Sequence, residues 1–149
     1  MIIYKAPQQI NKTEGKKIFL GGTIEMGASV NWQETVIQFF HDKTCTIFNP
    51  RRDDWDDDWK QEAENPQFSQ QVNWELDAME MADIIILNFL PGSQSPITLL
   101  EFGLYAQSNK LMVCCPKDYW RGGNVHILCD RYGIPLYDNM QVLLENINL

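Results

Sequence analysis

Residues 83–90 read DIIILNFL, an unbroken apolar run opened by one aspartate. A strand with one wet face alternates apolar and polar side chains; a run without alternation suits a strand covered on both faces, at the centre of a parallel sheet. Upstream, Val72, Leu76 and Met79 fall at helical spacing and predict a helix over 67–81. Downstream, LPGSQSP (90–96) is a turn-rich loop, and PITLLEFGLYAQS (96–108) predicts a second helix with Ser95 as its cap and Pro96 in its first turn. The same alternation continues to the end: KLMVCCP (110–116) as strand, GNVHILCDRYG (123–133) as helix, IPLYD (134–138) as strand and NMQVLLENI (139–147) as helix.

Working back towards the start, CTIFNP (45–50) is a strand stopped by Pro50, and SVNWQETVIQFFHD (29–42) is an amphipathic helix with Val30, Val36, Ile37 and Phe40 on its apolar side. KKIFLGG (16–22) is a buried strand running into a glycine turn, and residues 1–16 read as a polar lead-in. Strands alternating with helices imply a parallel sheet with right-handed crossovers. The expected fold is therefore α/β: one domain over 1–149, a three-layer sandwich on a five-stranded, flavodoxin- or Rossmann-like parallel sheet. Counting predicted strands in chain order, the sheet runs 2-1-3-4-5.

The chain has 149 residues, 44% of them hydrophobic, enough for one domain with a sizeable core. Its formal net charge of -8 disfavours nucleic-acid polymers and anionic membranes, which attract an excess of Lys and Arg; a small molecule is the expected ligand. The four cysteines form no C-x-x-C pair and have no His at ligand spacing. RRDDWDDD (51–58) lacks calcium-loop spacing, so no metal or cofactor is expected. With no signal-peptide pattern at the start and no apolar stretch of membrane-spanning length, the expectation is a cytoplasmic protein with reduced thiols.

Ligands of such sheets lie beyond the carboxyl ends of the strands where strand order reverses. The loops there are GGTIEMG (21–27), with Gly22, Thr23 and Ile24, and LPGSQSP, with Ser93 and Ser95. Glu101 stands alone inside an apolar helix just beyond, where Leu100 and Leu104 mark an apolar stripe and Gly103 allows a close approach. A carboxylate there needs water, a partner or a use. Glu75 on the preceding helix is a second carboxyl; Asp83 reads as a turn residue between helix and strand. Two carboxyls at one cleft suit glycosyl transfer, one as nucleophile and one as proton donor.

IFLGGTI (18–24), NWELDAMEMADIII (73–86), SPITLLEFGLYA (95–106) and GNVHILCDRYGIP (123–135) occur in this order, and Glu101, Gly103 and Ala106 are the most specific among them. Together they resemble the nucleoside 2-deoxyribosyltransferase family and its relatives that hydrolyse deoxynucleoside 5′-monophosphates. NPRRDDWDDDW (49–59) looks like the mark of a divergent branch. The resemblance implies an N-glycosidic enzyme in which Glu101 attacks the anomeric carbon to form a glycosyl ester and Glu75 assists protonation of the departing base. It further implies that Ser95 meets the sugar 5′-oxygen or phosphate, that Asn124 reaches the neighbouring subunit's sugar in a homodimer or larger assembly with shared sites, and that Phe19 replaces a tyrosine that orients the glutamate. Glu25 falls where the monophosphate hydrolases carry arginine. Trp55 and Trp59 suit stacking on a base or packing on the domain surface, and His126 suits a structural role. Phe19 and Glu25 keep open a second reading, a catalytically silent nucleotide-binding module on the same fold. A flavin protein is a third, for which the first loop supplies only Thr23.

Overall fold

The structure, a computed structural model, describes residues 1–24, 31–52, 54, 56 and 58–149. Its strands are β1 (Ile2–Lys5), β2 (Lys16–Gly22), β3 (Cys45–Asn49), β4 (Ile84–Asn88), β5 (Leu111–Cys114) and β6 (Leu136–Tyr137). The helices are α1 (Trp32–Phe39), α2 (Pro66–Met81), α3 (Pro96–Tyr105), α4 (Gly122–Tyr132) and α5 (Met140–Glu145).

The run at 83–90 supplies β4, which pairs in parallel with β2 on one side and β5 on the other. Successive strand side chains point to opposite faces, so Ile85 and Leu87 pack with Phe19, Phe48 and Val113 under α2, α3 and α4. Ile86 packs with Ile18, Leu20 and Ile47 under α1 and α5. These two apolar layers make the three-layer α/β sandwich expected from the alternation of elements.

The sheet has six strands in the order β1-β3-β2-β4-β5-β6, all parallel, rather than five. The central order is the expected one; the addition is β1, drawn from the supposed lead-in and paired with β3 from Ile2↔Thr46 to Lys5↔Asn49. An edge strand needs only one ladder, so a four-residue run of Ile2, Ile3, Tyr4 and Lys5 suffices, and its brevity hid it. The segment behind it is tied down as well. The Glu14 amide donates to Thr46 Oγ1 at 2.8 Å, and Trp74 Nε1 donates to the Gln8 carbonyl at 2.8 Å.

Two helix faces differ from the sequence reading. On α2 the buried side is Gln71, Trp74, Ala78 and Met79, with Leu76 left exposed. On α3 the buried side is Thr98, Glu101 and Phe102, while Ile97, Leu100 and Leu104 are exposed. Glu101 thus lies within the packed face rather than beside it. Gly103 is exposed, and a Cβ added there would meet nothing within 4 Å, so no close approach depends on it. Among the described residues no helix is long and apolar enough to cross a membrane.

Candidate functional site

At the carboxyl ends of β2 and β4 the chain brings two polar clusters side by side. The first is a ring of hydroxyls: Thr23 Oγ1 lies 3.0 Å from Ser93 Oγ and 2.5 Å from Ser95 Oγ, and the two serines are 2.7 Å apart. The Thr23 amide donates to the Asn88 carbonyl at 3.0 Å, tying the first loop to the end of β4. Trp32 Nε1 donates to the Thr23 carbonyl at 3.1 Å. Gly22, at φ +145°, leaves no space for a side chain, since a Cβ there would lie 2.5 Å from the Asn88 carbonyl oxygen. Ile24, next in the loop, is half-buried.

Ser95 stands at the N-cap of α3 as expected, but its side chain caps nothing. Its backbone is left-handed, at φ 47°, and its hydroxyl is spent on Thr23 and Ser93. The first N–H groups of α3 therefore keep their donor capacity for something other than Ser95.

The second cluster is a carboxyl pair. Glu101 is 8% exposed, and among the described residues no donor reaches its carboxyl. Its position depends on Gly21: a Cβ there would lie 3.2 Å from Glu101 Oε2, 3.1 Å from the Phe19 ring and 2.6 Å from Leu87 Cδ2. A methyl at this position would press on Leu87 and crowd the carboxyl and the Phe19 ring by a few tenths of an ångström. Burial, then the charge of Glu75, pushes Glu101 up to about 8. Burial likewise raises Glu75 to about 7, against the opposing hydrogen bond that Gln71 Nε2 donates to it at 2.7 Å. Near neutral pH the pair holds about one proton between its members.

Asn124, on α4, is exposed, and among the described residues its side chain meets neither cluster. His126 shares a hydrogen bond with the Cys115 carbonyl at 3.0 Å, the structural role expected of it. The Trp59 ring carries the Arg52 guanidinium 4.8 Å from its centroid, which accords with packing on the domain surface. Trp55 and Glu25 lie outside the described residues. Asp83 turns α2 into β4 and pairs with Lys17 at 2.8 Å, at the opposite end of the sheet. A cavity of ≈ 410 Å³ opens at that same opposite end, lined by Asp83, Lys110, Tyr132 and Ile134 among others, and includes none of the clustered carboxyls or hydroxyls.

Residues 15–119 match the family described as nucleoside 2-deoxyribosyltransferase like. The chain belongs to this family. Comparison with curated proteins gives no match. The nucleoside 2-deoxyribosyltransferase-like segment contains β2 through β5 and therefore both polar clusters, and it ends at Tyr119, before Asn124. Two residues of this site escaped the sequence reading. Gly21 was hidden behind Gly22 in a doublet that reads as a turn, and Gln71 inside a helix whose buried side was misplaced. The i, i+4 spacing of Gln71 and Glu75 was the available signal.

Proposed function

We propose that this protein cleaves or transfers the N-glycosidic bond of a nucleoside or nucleoside 5′-monophosphate through a covalent glycosyl–Glu101 intermediate. The observation that carries the reading is the pair of buried, interacting carboxyls, Glu75 and Glu101, at the carboxyl ends of the central strands. In the first step ionised Glu101 attacks C1′ as the C1′–N bond breaks, and Glu75 gives its proton to the departing base. In the second step water or another base attacks C1′, the ester bond to Glu101 breaks, and Glu75 recovers a proton from the acceptor. Two displacements at one carbon give overall retention. The hydroxyls of Thr23, Ser93 and Ser95, with Gly22 and Ile24 beside them, hold the sugar's 5′ end at the start of α3; Trp55 is proposed to cover the base.

The test is incubation with nucleosides and 5′-monophosphates, with and without a free acceptor base. Base release alone identifies a hydrolase and base exchange a transferase. Glu101→Ala is expected to lower turnover about 10³-fold or more with the circular dichroism spectrum retained; near-normal turnover would remove Glu101 from the mechanism. One observation favours a second reading, a binding module: no donor among the described residues orients the Glu101 carboxyl, and Phe19 beside it offers none. Thermal stabilisation by nucleosides without turnover would select that reading.

We further propose that the protein works as a homodimer or larger assembly in which Asn124 serves the neighbouring site. Its support is the exposed apolar row Ile97, Leu100 and Leu104 on the helix that carries Glu101. Leu100→Glu with Leu104→Glu is expected to shift the sedimentation coefficient of the native protein towards that of a monomer; an unchanged coefficient would move the interface elsewhere.

A further inference from the structure

Gln71 is 4% exposed, yet half of its amide is idle. Its Nε2 donates to the Pro50 carbonyl at 2.8 Å and to Glu75 Oε1 at 2.7 Å, while its Oε1 is buried without a partner among the described residues. The two ends of an amide are easily confused, but here the chemistry assigns them. The Pro50 carbonyl can only accept, so the atom facing it must be the NH₂ group, whatever the protonation of Glu75. Oε1 is thereby fixed as the idle end, and an unmet acceptor in a buried site is costly unless something with an N–H or O–H arrives. The same amide grips the carboxyl proposed to protonate the leaving base.

We propose that Gln71 selects the base: its Oε1 accepts a hydrogen bond from an exocyclic amino group adjacent to the ring nitrogen that Glu75 protonates. This rests on the glycosidic reading above and adds the substrate class. A protonated Glu75 presents a donor and Gln71 an acceptor, side by side. The complementary edge is a ring nitrogen next to an amine, as in adenine, which shows N7 and N6–H₂ together. A 6-oxopurine places a carbonyl oxygen opposite Oε1, setting acceptor against acceptor and leaving both unpaired. Cytosine shares the favoured pattern at N3 and N4; uracil and thymine do not.

The experiment compares free adenine with hypoxanthine by calorimetric titration of the full chain, and base release from adenosine, 2′-deoxyadenosine and their 5′-monophosphates with release from the inosine counterparts. Adenine and its nucleosides are expected to be favoured by about ten- to a hundredfold, in Kd and in kcat/KM. In Gln71→Leu that ratio is expected to fall towards one. A residue that merely props Glu75 would lower both substrates alike and keep the ratio, and that result would overturn the proposal. So would equal treatment of the two bases by the unsubstituted protein, a measurement that needs no variant to fold. Base release without preference sinks the role of Gln71 and keeps the reaction. Preferential adenine binding without release does the reverse, and neither binding nor release sinks both.

Discussion

A carboxyl that is 8% exposed and receives no hydrogen bond from the described residues keeps its proton far above the range of a carboxyl in water, and Glu101 does so beside a second raised carboxyl. The nucleophile must be ionised and the proton donor protonated, so the competent form is the singly protonated pair with its proton on Glu75, the minor of the two such forms in the free protein because Glu101 has the higher value. With values of about 7 and about 8, kcat/KM is expected to trace a bell whose limbs fall near those two pH values. Glu75→Gln removes the proton donor and the neighbouring charge together. The alkaline limb should vanish, leaving a single titration, that of Glu101, as read from a full pH profile; an unaltered bell would exclude Glu75 from the titrating pair. The identity of Glu101 was legible in the sequence because a charge in an apolar helix calls for an explanation. Its burial was not, since that depends on which face of α3 is turned towards the end of β2, where Gly21 lies against the carboxyl.

At the scale of elements, α3 is fastened at its start by the Ser95 hydroxyl to the loop after β2, and its carboxyl rests one turn further on against β2 itself. Gly21→Ala would force a methyl to within 2.6 Å of Leu87 Cδ2 and 3.2 Å of Glu101 Oε2. Overpacking of this kind costs about 1–3 kcal/mol. The expected outcome is a modest fall in Tm together with a fall in kcat of about tenfold or more, as the displaced carboxyl loses its alignment. A drop in Tm with unchanged kcat would show that the position of Glu101 is not set by this glycine. Element types were readable from periodicity, and β4 from its lack of it. The faces of α2 and α3 were not, because the row Ile97, Leu100 and Leu104 has the composition of a core stripe and is turned outward. Choosing between two apolar stripes requires knowing where the sheet lies. The edge strand β1 was missed for a related reason: its Ile and Tyr residues are strand formers, but four residues before a polar stretch give no period to detect.

For the whole molecule, both raised carboxyls link folding to pH. Each has a folded value, about 7 and about 8, above the ordinary 4.5, so between these limits the folded chain binds more protons than the unfolded one. Stability contributed by the protonated pair is complete below pH 4.5 and is lost as pH rises through the folded values. Urea unfolding at pH 6 and pH 9 should therefore differ by an amount on the order of a few kcal/mol, the protein being weaker at pH 9. Glu101→Gln should recover much of that loss while abolishing activity, and a variant as pH-sensitive as its parent would place the linkage on other groups. The strand order beyond β1 is the flavodoxin-like one, a common order for alternating strands and helices that connectivity permits without dictating, whereas the gathering of Glu75 and Glu101 depended on α2 and α3 packing on the same face of the sheet. That pair also leaves a mark on the heat of denaturation. Unfolding near pH 6 ejects protons that the buffer must absorb, so calorimetric enthalpies in phosphate and in an amine buffer should differ by the difference in their ionisation heats, which counts the carboxyls the fold keeps neutral.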